Sequence, residues 1–397
     1  MRLSERSKAI KPAVTLALAA KAQTMRAEGI DLVNFTAGEP DFDTPQRIKD
    51  AAVQALKRGM TKYTDVRGII PLRQAIAEKY KREYGFDYHR DQVLVSCGGK
   101  HALYNLLQAL LNPGDEVVIP SPYWVSYSDM TLLAGGVPRI VPTKEEDGFR
   151  LPPEQLATAL TPKTRIFILN SPSNPTGAGY HREELEALSR VLEKHDCLII
   201  SDDIYEKIVY DNFHFYSIAA LNPKLRERTL ITNSASKTYA MTGWRIGYAL
   251  GPQEIIAAAG NIQSQSTSNP TSIAQAGALE AIQGPQDEVE VMVREFQKRR
   301  DLIVERLSRI PGFRCFNPQG AFYVFPNVRS LLGRTGKGKK LGSAADVVEY
   351  FLAEARVLVV PGEDFGSSEN IRFSYATSLE EIEKGCGRIE AAVKKLD

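Results

Sequence analysis

Short apolar runs alternate with amphipathic stretches between about residues 90 and 280, and polar clusters rich in Gly, Pro, Ser and Asn follow several of those runs. Together these features predict an α/β protein: a large domain with a mostly parallel seven-stranded sheet between helices, plus a smaller α+β domain. Length agrees, because 397 residues exceed one compact core of ordinary size.

The expected strands of the sheet are residues 92–96, 116–120, 139–142, 165–170, 197–201, 229–233 and 245–250, each an apolar run bounded by turn formers. Helical spacing of apolar residues marks 101–111, 182–195 and 252–264. Beyond residue 285 the pattern changes. A long charged helix is expected over 287–308, followed by apolar runs at 313–316 and 321–325, and then helices at 344–355 and 379–396 flank the strand-like runs 356–360 and 370–375. This mixture predicts the second domain, built from 290–397 together with 1–45, with 46–289 forming the large domain. The sequence contains no internal repeat.

Composition narrows the function. Hydrophobic residues are 43% and charged residues 25%, the balance of a globular protein with ample core material. Fifty basic residues nearly cancel forty-eight acidic ones, a formal +2, so no global field favours nucleic acid or an anionic membrane. The one basic run, from Arg334 to Lys340, is interleaved with glycine and lacks aromatics for stacking on bases, so it is expected to be a solvated loop. Cys97, Cys197, Cys315 and Cys386 have no Cys-x-x-Cys spacing, and the five histidines form no helical pair, so neither a metal site nor a disulfide framework is expected. The N-terminus has no secretory h-region and no apolar stretch approaches a membrane span. These features predict a cytoplasmic protein with small-molecule partners.

Chemistry concentrates where strands end. Ser234-Ala-Ser236-Lys237 places one lysine among small hydroxylic residues, with Arg245 shortly beyond. An amine able to form a Schiff base therefore neighbours Ser234, Ser236 and Arg245, which are suited to a phosphate ester; pyridoxal phosphate is the aldehyde that fits. Asn170-Ser-Pro-Ser-Asn174-Pro-Thr-Gly and Ser201-Asp202-Asp203-Ile-Tyr205 follow two other strands. Ligands of open α/β sheets bind outside the carboxyl ends of strands, so the three clusters are expected to converge.

With Thr36-Ala-Gly38-Glu-Pro-Asp, Lys62-Tyr63-Thr, Ser96-Cys-Gly98-Gly99-Lys100, Ser121-Pro-Tyr-Trp124 and Ile371-Arg372-Phe-Ser-Tyr, these clusters form an ordered set nearly end to end. The set resembles the fold type I pyridoxal phosphate enzymes, specifically class I aminotransferases, and most closely the bacterial I-beta subgroup of aspartate aminotransferases. The resemblance implies that Lys237 binds the cofactor's aldehyde and moves the catalytic proton, and that Asp202 pairs with the pyridine nitrogen. It also implies that Asn174 and Tyr205 bond the phenolic oxygen and that Trp124 stacks on the ring. The phosphate would fall to Gly98, Gly99, Ser234, Ser236 and Arg245, with Tyr63 reaching in from a second subunit. Gly98-Gly99 lets backbone N–H groups approach a phosphate closely, without being a dinucleotide fingerprint.

For substrate, the resemblance implies that Arg372 takes the α-carboxylate in a planar two-bond fork aided by Gly38, with Asn174 and Trp124 alongside, and that Lys100 contacts a side-chain carboxylate. Alternation along a strand lets only one of Asp202 and Asp203 face the ring, and position in the motif favours Asp202. The implied reaction is ping-pong transamination between aspartate and 2-oxoglutarate in a homodimer with shared sites. Prephenate, aromatic or other amino acid transamination on the same fold is the alternative.

Overall fold

The computed structural model describes residues 3–10 and 14–397. Met1, Arg2 and residues 11–13, part of the segment assigned to the smaller domain, lie outside the described residues. All seven expected strands form one sheet: β1 (Val93–Ser96), β2 (Glu116–Ser121), β3 (Val137–Pro142), β4 (Thr164–Asn170), β5 (Leu198–Asp202), β6 (Thr229–Ser234) and β7 (Gly247–Leu250). Their order is β1-β7-β6-β5-β4-β2-β3. Only β7 runs antiparallel to its neighbours, β1 and β6; the other pairings are parallel.

The central strands are apolar on both faces, as a sheet covered on both sides requires. Successive residues alternate between two cores: Val117, Ile119, Ile166, Ile168 and Ile200 pack with Leu103, Leu106 and Leu107. Val118, Phe167, Leu169 and Ile199 pack instead with Leu185, Leu188 and Leu192. The exposed edge strand β3 carries Pro138, Arg139 and Pro142, residues that discourage further pairing.

A second core gathers distant parts of the chain. Val33 and Phe35 pack with Phe296, Ile303, Phe322, Phe373 and Ile382, and Val33–Asn34 pairs in parallel with Val357–Leu358. Beside them Ile371–Ser374 is the middle strand of a three-stranded antiparallel sheet, between Val360–Pro361 and Tyr323–Val324. The helix Asp287–Ser308 spans both regions, since Val289 packs with the large sheet's core and Met292 onward with this one. The expected helix over 344–355 is α-helical to Tyr350 and then widens into a π-turn over Phe351–Ala355. The basic run is more ordered than a loop: Thr335–Gly336 and Lys339–Lys340 form a two-stranded ribbon, with Lys337 paired to Glu354 and Lys339 to Asp346 and Glu349. Among the described residues no helix is long and apolar enough to cross a membrane.

Behind the sheet's carboxyl edge lies a buried polar network. Lys79, on the helix Ile70–Tyr84, pairs with Glu206, which also accepts from Tyr84 and, at 2.8 Å, from Asn233 at the end of β6. Removing one partner of a buried pair strands the other charge. Lys79→Met is therefore expected to cost about 3–5 kcal/mol in denaturant unfolding. Arg309→Ala, which breaks an exposed helical pair with Glu305, should stay within about 0.5 kcal/mol of wild type. Equal costs would contradict the assignment of the network as buried structure.

Candidate active site

A cavity of about 440 Å³ opens at the carboxyl edge of β4, β5 and β6, and Gly38, Trp124, Asn174, Asp202, Tyr205, Lys237 and Arg372 all line it. Seven residues scattered over more than three hundred positions of sequence thus meet in one place. Strand register explains much of this convergence: Asn170 pairs with Asp202 and Asp202 with Thr232, so three loops leave the sheet at the same level.

Asp202 is 4% exposed and accepts from the Tyr127 hydroxyl at 2.6 Å. Burial pushes its carboxyl up to about 6, against the opposing effect of hydrogen bonds from Tyr127, the Ile204 N–H and Thr232. Asp203 does not line the cavity. It is buried on the other side of the strand with Ser201 donating to it at 2.6 Å, and burial raises its carboxyl far above the usual range.

Lys237 sits in the short helix Ala235–Thr238, whose start Ser234 caps by accepting from the Ser236 N–H at 3.0 Å. Its amine donates to the Gly38 carbonyl. Desolvation lowers its pKa to about 8; Glu39 opposes this, while Arg245, Arg372 and Lys100 add to it. An amine so placed has a far larger neutral fraction near physiological pH than an ordinary lysine, and the neutral form is the one that acts as nucleophile or general base.

Beside the lysine is a small cup. Gly98, at φ +97°, turns the chain from β1 into the helix Gly99–Leu110, and a side chain there would stand 2.4 Å from the Arg245 guanidinium. A side chain on Gly99 would lie 3.5 Å from Ser234 Cβ. Gly98, Gly99, Ser234 and Arg245 therefore adjoin one another, and a helix N-terminus with a guanidinium beside it suits an anion. The two serine hydroxyls are 2.7 Å apart, and that of Ser234 also meets the Ile246 carbonyl at 2.8 Å.

Arg372 is 2% exposed. It donates to Asn174 Oδ1 at 3.0 Å and to the Thr36 carbonyl at 3.1 Å, while its Nε is buried with no hydrogen-bond partner among the described residues. Desolvation lowers its pKa, so a carboxylate in the cavity would relieve both the charge and the unmet donor. Lys100 reaches over the Trp124 ring, its amine 4.9 Å from the centroid. Although the residue as a whole is exposed, desolvation of the amine and the nearby Arg245 hold its pKa below the ordinary lysine value. Tyr63 takes no part in the cavity of its own chain and is 89% exposed, although its loop is anchored by Gln275 to Thr64 and by Gln263 to Val66.

Several lining residues were given no role by sequence reasoning, among them Tyr127, Asn170, Tyr323 and Thr36. Tyr127 lies three positions after Trp124, a spacing that signals one helical face. Asn170 donates to the Asp202 carbonyl at 2.9 Å and accepts from the Asn174 N–H at 3.0 Å, tying two loops together. Tyr323 stands in an aromatic run that reads as core, and Thr36 contributes through its backbone carbonyl, which no residue type advertises.

Comparison with known proteins identifies the family. The family model described as "Aminotransferase class I and II" matches residues 30–389. An aspartate/prephenate aminotransferase of Cereibacter sphaeroides is 53% identical over 391 residues, covering 98% of each chain. The structure of an aspartate aminotransferase from Rhizobium meliloti superposes with a TM-score of 0.97 at 46% identity, covering 100% of both chains. An aspartate aminotransferase from Thermus thermophilus with maleate gives 0.93 at 46% identity, covering 99% of this chain and 100% of that one. With the lysine, carboxylate and arginine of the cavity held on the same fold, the chain belongs to the class I and II aminotransferases.

Proposed function

We propose that the chain transfers the amino group of aspartate to 2-oxoglutarate with pyridoxal 5'-phosphate bound in the 440 Å³ cavity. The observation that carries the reading is the facing of Lys237, Asp202 and a buried Arg372 with an unmet donor across that one space. The donor set fits the cofactor: a depressed amine for an aldehyde, a carboxylate for a ring nitrogen, and the Gly98, Gly99, Ser234, Ser236 and Arg245 cup for a phosphate. When bound, pyridoxal phosphate supplies the aldehyde that takes up the amino group and the ring that draws electrons from the substrate's α-carbon.

The protein's groups have separable tasks. Asp202 would hold a proton on the ring nitrogen, and that ion pair would offset the desolvation of its carboxylate. Trp124 would wall one side of the ring, while Asn174 and Tyr205 would bond its phenolic oxygen. Arg372 grips the α-carboxylate, aided by the backbone at Gly38, and so fixes the α-hydrogen relative to Lys237. Lys237 Nζ would take that proton and, with the cofactor bound, return it to the former aldehyde carbon on the other side of the amino nitrogen. The amino group leaves with one substrate and arrives with another, so ping-pong kinetics are expected.

Lys100 carries the proposed preference for a second carboxylate. Prephenate has a distal carboxylate too, and the Cereibacter relative's name, aspartate/prephenate aminotransferase, favours it as a second substrate. The exposure of Tyr63 on an anchored loop supports a homodimer in which this tyrosine completes the partner's phosphate cup. The division into a domain of residues 46–289 and one of 1–45 with 290–397 belongs to the same proposal.

Three outcomes are expected. Purified protein should carry a visible absorbance band that borohydride abolishes, with the label on Lys237; label elsewhere would sink the mechanism. Lys100→Ala should lose about 1–3 kcal/mol of kcat/KM with aspartate and much less with alanine or phenylalanine, whereas equal losses would refute the substrate assignment. The third concerns Asp202, whose folded pKa of about 6 lies above the ordinary 3.8. The native state then binds its proton more tightly, so apoprotein stability falls as pH rises through that window, by about 3 kcal/mol at full ionisation. Tyr127→Phe removes a donor to the carboxylate and should extend the fall to higher pH in denaturant titrations of the apoprotein. Superimposable profiles would show that Tyr127 does not set this carboxyl's charge.

A further inference from the structure

Tyr323 lies outside the residues that carried the functional reading, yet it touches both halves of the site. It is 1% exposed and pairs with Ser374, which places it diagonal to Arg372 on the neighbouring strand. Its ring centroid is 4.5 Å from the Arg372 guanidinium, and Phe365 lies 4.9 Å from the same group. Its hydroxyl is 3.1 Å from that of Tyr205, on the loop beyond β5. A side chain on Gly38 would come within 3.7 Å of the same hydroxyl.

We infer that Tyr323 is a positioning residue for both ends of the reaction: its ring holds Arg372 in plane for the substrate's α-carboxylate, and its hydroxyl donates to Tyr205. The inference rests on the proposed cofactor site. Two tyrosine hydroxyls have one proton each; when Tyr323 donates, the Tyr205 proton is left for the cofactor's ring oxygen, and the accepted bond makes Tyr205 a stronger donor. The ring acts separately, by stacking on a guanidinium that has lost its water. One side chain on the small sheet therefore links carboxylate recognition to the electronics of the cofactor.

Two substitutions separate the roles. In the holoenzyme, Tyr323→Phe keeps the ring and removes the hydroxyl. Weaker donation leaves more negative charge on the cofactor's oxygen, so the pH midpoint of the visible band should rise by about 0.3 units or more, with maleate affinity within about two-fold of wild type. Tyr323→Leu should in addition weaken maleate about three- to ten-fold. In a Tyr205→Phe background, Tyr323→Phe should leave the midpoint unmoved, because its partner is gone. An unchanged midpoint in Tyr323→Phe, a shift that persists without the Tyr205 hydroxyl, or wild-type maleate binding by Tyr323→Leu would overturn the inference. If Tyr323→Leu does not fold, the Phe variants still decide it. Wild-type protein with no band fixed on Lys237 would instead refute the cofactor reading.

Discussion

The parallel register of β4, β5 and β6 is the constraint on which the site depends. Asn170, Asp202 and Thr232 stand side by side at the strand ends, and the loops that follow carry Asn174, Tyr205 and Lys237. Side chains alternate along a strand, so a slip of one residue in β5 would turn Asp203 toward the cavity and Asp202 into the buried network behind it. The apolar pattern prevents the slip. Ile199 and Ile200 would exchange cores with the same movement, each leaving a face packed for the other. Hydrophobic packing far from the chemistry thus decides which of two adjacent aspartates faces the cavity.

The same arrangement concentrates electrostatic cost. Asp202, Lys237 and Arg372 are each desolvated, and each is shifted toward its neutral form. In the apoprotein these groups oppose stability, and ligands of opposite charge relieve them. The network of Lys79, Glu206, Tyr84 and Asn233 runs the other way, since its charges are mutually satisfied. Asn233 precedes Ser234 and holds its N–H at 2.7 Å, so the satisfied network braces the turn that presents Lys237. The desolvated groups of the cavity thus stand in front of a polar network whose own partners are satisfied.

What was legible in the sequence follows from these forces. The central strands of the large sheet were readable because both faces are buried, which leaves unbroken apolar runs between turn residues. The site was readable where chemistry forces unusual residues into such turns, as with Lys237 among serines or Gly98 at a positive φ. Tyr127 and Tyr323 were not readable as site residues, because a buried tyrosine is ordinarily core and only its hydroxyl's partner distinguishes the two cases. Thr36 works through a backbone carbonyl, and Asn170 through bonds to backbone on two other segments. The serines were readable as site residues, but not the local bonds, with Ser234 also capping the helix that holds Lys237.

Arg372 and Tyr323 belong to the small antiparallel sheet, whereas Asp202 and Lys237 belong to the large one, so the cavity's two chemistries are built on separate cores. Among the contacts that join them around the cavity are Arg372 to Asn174, Tyr323 to Tyr205, and Lys237 to the Gly38 carbonyl. Each joins polar groups across the cavity, and the bond between the two tyrosines sits within apolar packing, since both rings lie against Phe322. Polar contacts of this kind are individually modest once water can compete for them. A substrate carboxylate entering between Arg372 and Asn174 would exchange one such contact for another at little net cost. The contact between Arg372 and Asn174 is therefore weak enough to be replaced by a ligand, while the apolar packing behind both residues remains intact.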